Sequence, residues 1–206
     1  MTRFVGMVVT AQQGGNMIEV KTIEIAGFNA AFQALRLPFG KECRSECDFY
    51  STRNEDYEPP CFQSETKCFI DEKDLHLMSV LIKRGDEHAK TVRGIMVYAE
   101  IEAPRFWWQE MDTYRIGTDR LSSESTMHIQ GKGMSTEELV KMKSELTEGT
   151  MQKRVQVFSY QALRRIYIQR RNHRLPHWHK FCAWIESLPF AKELILVGLD
   201  KEKDNE

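Results

Sequence analysis

Apolar and polar residues alternate from 16 to 25 (NMIEVKTIEI), with Val, Ile and Thr on the alternation, which predicts a half-buried strand. Residues 27–37 are rich in Ala, Phe and Leu and predict a short helix, ended by Pro38 and Gly40. Residues 41–67 hold Pro59 and Pro60, mixed charge and few periodic apolar positions, and read as a long ordered loop or insertion. From 72 to 84, Leu75, Met78, Val80, Leu81 and Ile82 fall near helical spacing, and Gly85 is placed to end that helix. The run GIMVYAEI at 94–101 is the best strand in the chain. Pro104 suits the first turn of a helix, so 103–113 should be helical. Ser135 opens the run STEEL, a capping-box pattern with early acids, and predicts a helix over 135–146. Residues 159–171 predict another helix, and the run after Arg174 a last one with Pro176 in its first turn. The resulting order, strand and helix, loop, helix and strand, then four helices, suggests an α+β domain without internal repeats.

Composition narrows the class. The chain has 206 residues, enough for one domain with a sizeable core, and its 41% hydrophobic and 29% charged residues argue against wholesale disorder. No apolar run approaches the ~20 residues of a membrane span, and residues 1–10 do not look like a signal peptide. Five cysteines, an odd number in a chain too large to need disulfides, suggest a reducing cytoplasm. Net charge is -1, but it is unevenly spread: residues 153–180 carry eight Lys/Arg and no acid, whereas 41–74 carry ten acids against five bases.

That acid-free run is the first candidate for chemistry. Arg164, Arg165, Arg170, Arg171 and Arg174 sit on or just after one predicted helix, with Arg164 and Arg171 on one face. Self-repulsion there must be offset by bound anions or by acids from elsewhere. One reading is a phosphate site for nucleotides or a nucleic-acid backbone; the other is a face neutralised by the acidic 41–74 region. The second candidate is the segment 113–125, where Arg115, Gly117, Arg120, Ser122, Ser123, Glu124 and Ser125 follow an aromatic helix. Arg offers a planar fork to phosphate and hydroxyls add single donors, although a solvated connection would have the same composition. His173, His177 and His179 do not have the spacing of an established zinc motif, and Cys43, Cys47, Cys61 and Cys68 fit no ribbon or finger, so no metal site is expected. QGKGMS lacks the strand context of a phosphate loop. Trp107, Trp108, Trp178 and Trp184 read as core or interface residues.

Lys83-Arg84-Gly85, a strand, Ala103-Pro104, an aromatic helix ending at Arg115, and Ser123 eight positions later together resemble the flavin-dependent thymidylate synthases (ThyX). The signature of that family is Arg-His-Arg, seven residues, then Ser; here the triplet is Thr113-Tyr114-Arg115 and Ser123 keeps the distance. SYQALRRIYIQRRNH is similar to the family's long helix, with Arg170 at the position of a substrate-binding Arg. The resemblance runs over roughly 74–185, and the string around APRFWWQEMDTYRIGT is closer still to divergent members from phages and gut bacteria.

The resemblance implies an α+β fold with a twisted, mostly antiparallel sheet and flanking helices, in a homotetramer whose sites draw on more than one subunit. It implies FAD as cofactor, dUMP as substrate, methylenetetrahydrofolate as carbon donor and NADPH as reductant, with no cysteine nucleophile. By position, Ser123 and Arg170 would be catalytic; Glu110, Arg115, Arg120, Ser123, Glu124 and Arg170 would bind substrate. His88, Thr113, Tyr114, Arg115, Ile116, Ser159, Gln161 and Arg165 would contact flavin. Several positions depart from the family pattern. Thr113 and Tyr114 replace Arg and His, Glu110 stands for a Gln, Leu121 and Ser125 stand for the acid and Arg that flank the Ser, and Ser159 and Gln161 stand for Asn and Arg. Two alternatives follow: an enzyme modifying C5 of another pyrimidine nucleotide such as dCMP, which Glu110 could favour by accepting from an exocyclic amine, or a non-catalytic nucleotide or nucleic-acid binder on the same scaffold.

Overall fold

The structure is a computed structural model, and it describes residues 17–41, 46–47 and 68–199. Strand β1 (Glu19–Ala26) leads into helix α1 (Phe28–Arg36), which the alternation and the Ala/Phe/Leu run predict to within a few residues. Gly27 makes the corner between them. Its φ is 93°, and a Cβ there would lie 1.9 Å from the Gly94 carbonyl oxygen, so only glycine lets the two backbones meet. Two-residue strands β2 (Glu46–Cys47) and β3 (Cys68–Phe69) pair antiparallel, with Cys47 opposite Cys68. The rest of the expected 41–67 insertion, residues 42–45 and 48–67, lies outside the described residues.

Helix α2 (Glu72–Lys83) starts on an Asp71 side chain that accepts the Lys73 N–H at 2.9 Å, and acids fill its first turn. Gly85, at φ 122°, follows its end as predicted. The buried Asp74 carboxylate accepts from the Arg36 guanidinium and fastens α2 to α1. Strand β4 (Met96–Pro104) alternates: Val97, Ala99, Ile101 and Ala103 are all fully buried. Pro104 ends this strand and is the N-cap of α3 (Arg105–Met111), one position ahead of the predicted first turn; the ladder with Met151 holds it in extended backbone.

Two further strands run through segments predicted as loop or left unassigned. The hydroxyl-rich segment is β5 (Thr118–Ser123), and β6 (Met151–Ser159) precedes α6 (Tyr160–Arg170). Between them lie α4 (Thr126–Ile129) and α5 (Thr136–Glu145), the latter opened by the predicted capping box. Helices α7 (Pro176–Glu186), with Pro176 at its start, and α8 (Ala191–Leu194) complete the chain as described. Among the described residues the main sheet is four-stranded and antiparallel throughout, in the order β1-β4-β6-β5, so β5 is an edge.

The core is one buried cluster to which the sheet, α1, α2, α3, α6, α7 and α8 all contribute, with its largest side chains on α3 and α7. The Trp107 ring packs at a tilt 4.9 Å from Trp178 and 5.5 Å from Phe181, while Phe158 of β6 reaches Phe181 at 5.7 Å. Each such pair adds about 0.5–1.5 kcal/mol beyond its buried area. Trp107, Trp108 and Trp178 are at most 1% exposed, in keeping with their reading as core residues. Among the described residues no helix is long and apolar enough to cross a membrane.

Candidate functional site

The aromatic helix α3 ends in a turn, residues 112–117, and α6 begins where that turn meets the sheet. Gly117 makes the contact: its φ is 75°, its carbonyl accepts the Ser159 N–H at 2.8 Å, and a Cβ there would lie 2.6 Å from Ser159 Oγ. Glycine is therefore required for the turn to lie on the start of α6. This arrangement opens a cleft of about 250 Å³ lined by Thr113, Tyr114, Arg115, Ile116, Ala162, Arg165, Ile166 and Gln169. Five residues singled out as flavin contacts, Thr113, Tyr114, Arg115, Ile116 and Arg165, thus line one cleft.

Their states differ. Thr113 Oγ1 donates to the Glu110 carbonyl at 2.7 Å, a local turn contact. Arg115 is exposed and has no ion pair among the described residues; Ile116 is 74% exposed. Arg165 Nε donates to Asp86 at 3.1 Å, an ion pair between two partly exposed side chains. The other three cofactor positions lie away from the lining. Ser159 is 3% exposed and caps α6, its Oγ accepting the Ala162 N–H at 3.1 Å. Gln161 is 4% exposed, accepts from Arg93 Nε at 2.5 Å and donates to the Asp86 carbonyl at 3.3 Å. Both have their polar groups engaged within the fold. His88 is exposed in the turn after α2, 3.7 Å from Glu87.

Beside the cleft, Glu110 and Arg170 form a tight polar cluster. Arg170, the last residue of α6, donates from Nη1 to Glu110 Oε2 at 2.8 Å and from Nε to the Tyr114 hydroxyl at 2.7 Å. Its guanidinium carbon stands 4.5 Å from the centre of the Trp178 ring and 5.5 Å from that of Tyr114. Trp178 Nε1 donates to the same Glu110 oxygen at 2.8 Å. His173 accepts the Leu175 N–H on Nδ1 at 3.2 Å, so its other nitrogen, 3.5 Å from Glu110 Oε2, carries the proton in the neutral ring. Sequence reasoning named Glu110 and Arg170 but gave no sign that they pair, nor that Trp178 and His173 join them; those contacts cross 60 or more residues of chain.

The second group of named residues lies on β5. Ser123 and Arg120 face the same side of the sheet as Arg154 and Gln156 of β6, because Ser123 is opposite Arg154 and Arg120 opposite Gln156 in the antiparallel register. Glu124 extends the pairing, its backbone N–H reaching the Lys153 carbonyl at 2.9 Å and its carboxylate accepting the Lys153 N–H at 3.0 Å. The segment expected to be a loop rim is thus an exposed edge strand. Its pairing with β6 shifts register between Arg120 and Ser122, and it can be rich in hydroxyls because an edge strand has one solvated side and needs no apolar alternation.

Half of the cations in the acid-free run 153–180 are paired with acids from other elements, while Arg171, Arg174 and Lys180 have no ion pair among the described residues. Arg154 pairs with Asp112 at 2.8 Å, Arg165 with Asp86 and Arg170 with Glu110, while Lys153 lies 3.6 Å from Glu100 and 3.8 Å from Glu102. Arg164 donates to backbone carbonyls of Ile195 and Val197 and is thereby built into the chain end. These acids come from 86–112; within the 41–74 region, much of which lies outside the described residues, Asp74 pairs with Arg36.

Among the described residues no group of three or more His, Cys, Asp or Glu could hold a metal ion. His177 packs edge-on against Phe106 at 5.1 Å and His179 lies against the His173 carbonyl, while Cys43 and Cys61 lie outside the described residues. Gly131 and Gly133 belong to the connection between α4 and α5.

No protein-family model matches the sequence, and no curated protein is significantly similar to it. Solved structures are similar in fold. Thymidylate synthase X (ThyX) from Helicobacter pylori, with FAD and dUMP, matches with a TM-score of 0.58 at 14% identity, over 87% of this chain and 97% of that one. A second structure of the H. pylori flavin-dependent enzyme, complexed with FAD and dUMP, gives 0.59 at 14% identity, over 87% and 99%. At this identity the likeness establishes the architecture: an α+β domain with the fold of the flavin-dependent thymidylate synthases.

Proposed function

We propose that the chain is a flavin-dependent thymidylate synthase, converting dUMP to dTMP with methylenetetrahydrofolate as carbon donor and NADPH as the source of electrons. The observation that carries the reading is the cleft between the 113–116 turn and α6, with the Glu110–Arg170 cluster beside it, on a fold whose solved neighbours hold FAD and dUMP. Overall the reaction transfers a one-carbon unit to C5 of the pyrimidine and reduces it to methyl, leaving tetrahydrofolate and NADP⁺.

The cleft residues fit part of a flavin. Ala162, Ile166 and Ile116 give apolar surface for a ring, Tyr114 an aromatic edge, and Arg115 a cation without a protein partner among the described residues. A cleft of about 250 Å³ lies below the ~300–1,000 Å³ usual for complete ligand sites. It would hold one ring system, with the remainder of FAD running over the exposed 115–118 surface or onto another subunit of the proposed homotetramer. When bound, FAD supplies hydride chemistry; Thr113, Tyr114, Arg115, Ile116 and Arg165 would hold it. Arg170 would present its remaining N–H groups to the pyrimidine, kept in orientation by Glu110, Tyr114 and Trp178. Ser123 and Arg120 would meet the nucleotide from the edge strand.

One observation favours a change of base. Arg170, Trp178 and His173 all approach Glu110 on Oε2, which leaves Oε1 without a hydrogen-bond donor among the described residues, on a side chain 32% exposed. Such an acceptor suits the exocyclic amine of dCMP better than a carbonyl of dUMP. Incubation with FAD, NADPH, methylenetetrahydrofolate and either nucleotide, read by mass spectrometry of the nucleotide, tests both. A gain of one methyl on dUMP is expected, a gain on dCMP alone assigns the second reading, and no methylated product from either refutes synthase activity.

A further inference from the structure

Strand β6 carries polar side chains on the sheet face that elsewhere forms the core. Opposite β4 the inward positions are Val97, Ala99 and Ile101; on β6 their partners are Phe158, Gln156 and Arg154. Arg154 is 8% exposed and Gln156 is 3% exposed. Burial without hydrogen bonds costs a polar group about 1–3 kcal/mol in proteins, so these two side chains need a structural or a functional reason.

Arg154 is partly explained by the fold. It donates from Nη1 to Asp112 at 2.8 and 3.1 Å and from Nε to Gln152 Oε1 at 3.0 Å, and its guanidinium lies 4.3 Å from the centre of the Trp108 ring. Nη2 has no partner among the described residues. Gln156 is not explained: among the described residues its buried Oε1, an acceptor, has no hydrogen-bond partner, and its amide nitrogen donates to none. The register then adds two groups from the edge strand, Arg120 opposite Gln156 and Ser123 opposite Arg154, both exposed and without hydrogen-bond partners among the described residues.

The charges are out of balance at this point. Burial lowers the Arg154 pKa, the Asp112 hydrogen bond and charge raise it, and Arg120 lowers it again, so the two guanidiniums feel each other. Among the described residues Asp112 is the one carboxylate bonded to either of them. Glu124, next along the chain, is tied down by the Lys153 N–H. Two forked cations and a hydroxyl on one sheet face offer several convergent donors, to which Gln156 can add only its Nε2–H group, and a tetrahedral dianion with three acceptor oxygens is the group that uses them together.

We infer that Arg154, reached from the open edge of the sheet and joined by Arg120 and Ser123, forms the subsite for the phosphate of the nucleotide substrate, with the Gln156 amide completing its inner wall. The inference rests on the nucleotide reading above and assigns a binding role to Arg154 and Gln156. It also divides labour: Arg170, already held by Glu110 and Tyr114, serves the base end, and the β5–β6 face serves the phosphate.

The test is titration of the full-length chain, with FAD present, by dUMP, deoxyuridine and inorganic phosphate. Wild type is compared with Arg120→Gln, whose side chain is exposed and does not threaten folding, and with Arg154→Lys, which keeps the charge but loses the fork. Thermal melting verifies that each variant is folded. The expected result is a dUMP Kd at least tenfold higher in both variants, loss of competition by inorganic phosphate, and deoxyuridine affinity within twofold of wild type. Tight dUMP binding that neither variant weakens overturns the subsite and leaves the nucleotide reading standing. Phosphate binding that the variants abolish, in a protein that binds neither dUMP nor dCMP, keeps the anion site and overturns the nucleotide reading. Absence of binding by phosphate and by both nucleotides overturns the two together.

Discussion

Arg170 Nη1 lies 2.8 Å from Glu110 Oε2, and the pair joins the end of α6 to the end of α3 across 60 residues of chain. Both ends of this bond are braced. Tyr114 takes the Arg170 Nε–H, and the Trp178 indole donates to the same Glu110 oxygen. Arg170 is therefore a positioned group with a fixed plane, which is what recognition of a flat pyrimidine would need.

Replacing Glu110 by Gln should leave the Arg170 charge partly buried without a counter-ion. A hydrogen bond to a charged group contributes about 1.5–3 kcal/mol, reduced here because Glu110 is a third exposed, so a loss of about 1–2 kcal/mol is expected. Chemical denaturation would read this directly. If the pair also sets the base preference, the variant should lose dCMP binding in greater proportion than dUMP binding.

Arg115 is exposed at the cleft mouth and has no ion pair among the described residues, so its removal should cost binding and not stability. Arg115→Gln is expected to weaken FAD by about tenfold or more, the equivalent of one charge-assisted hydrogen bond, with an unchanged melting temperature. Unchanged FAD affinity would move the cofactor's phosphates elsewhere on the surface.

The fold and the site were unequally legible in the sequence. Helix α5 could be placed because its start is local chemistry: Ser135 Oγ accepts the Glu138 N–H at 3.3 Å and Glu138 accepts the Ser135 N–H at 2.7 Å. Strand β4 announced itself by apolar alternation. β6 did not, because its inward positions include Gln152, Arg154 and Gln156, and β5 did not, because an exposed edge has no buried face to pattern. Local rules thus failed on the two strands that carry the polar face, as expected where a sequence serves a site as well as a core. The pairing of Glu110 with Arg170 is a tertiary fact with no local signal.

The capping box on α5 gives a pH prediction. The hydrogen bonds from the Ser135 backbone and side chain lower the Glu138 pKa below its ordinary value. A depressed carboxyl contributes above its unfolded pKa, and the contribution is lost as pH falls through the folded one. Because α5 buries no residue, the loss should be local. Amide exchange corrected for intrinsic pH effects should show the first turn of α5 fraying in acid, and Ser135→Ala should produce the same fraying at neutral pH.

Cys182 is 4% exposed on α7, and burial, with a smaller effect from Glu186, pushes its thiol up to about 12. It should remain a neutral thiol at neutral pH and resist thiol reagents in the native protein while reacting once unfolded. Cys182→Ala should retain activity, as the proposed chemistry requires no nucleophile there; loss of turnover in a stably folded variant would argue for a different reaction.

The central claim is that the cleft formed by 113–116 and α6 is a flavin site, and an absorption spectrum tests it most directly. The purified chain is incubated with FAD, freed of excess and scanned through the visible range, before and after NADPH or dithionite. The account predicts a flavin band that stays with the protein and is bleached on reduction. A protein that retains no flavin would contradict it, leaving a thymidylate-synthase fold without the cofactor that the chemistry needs.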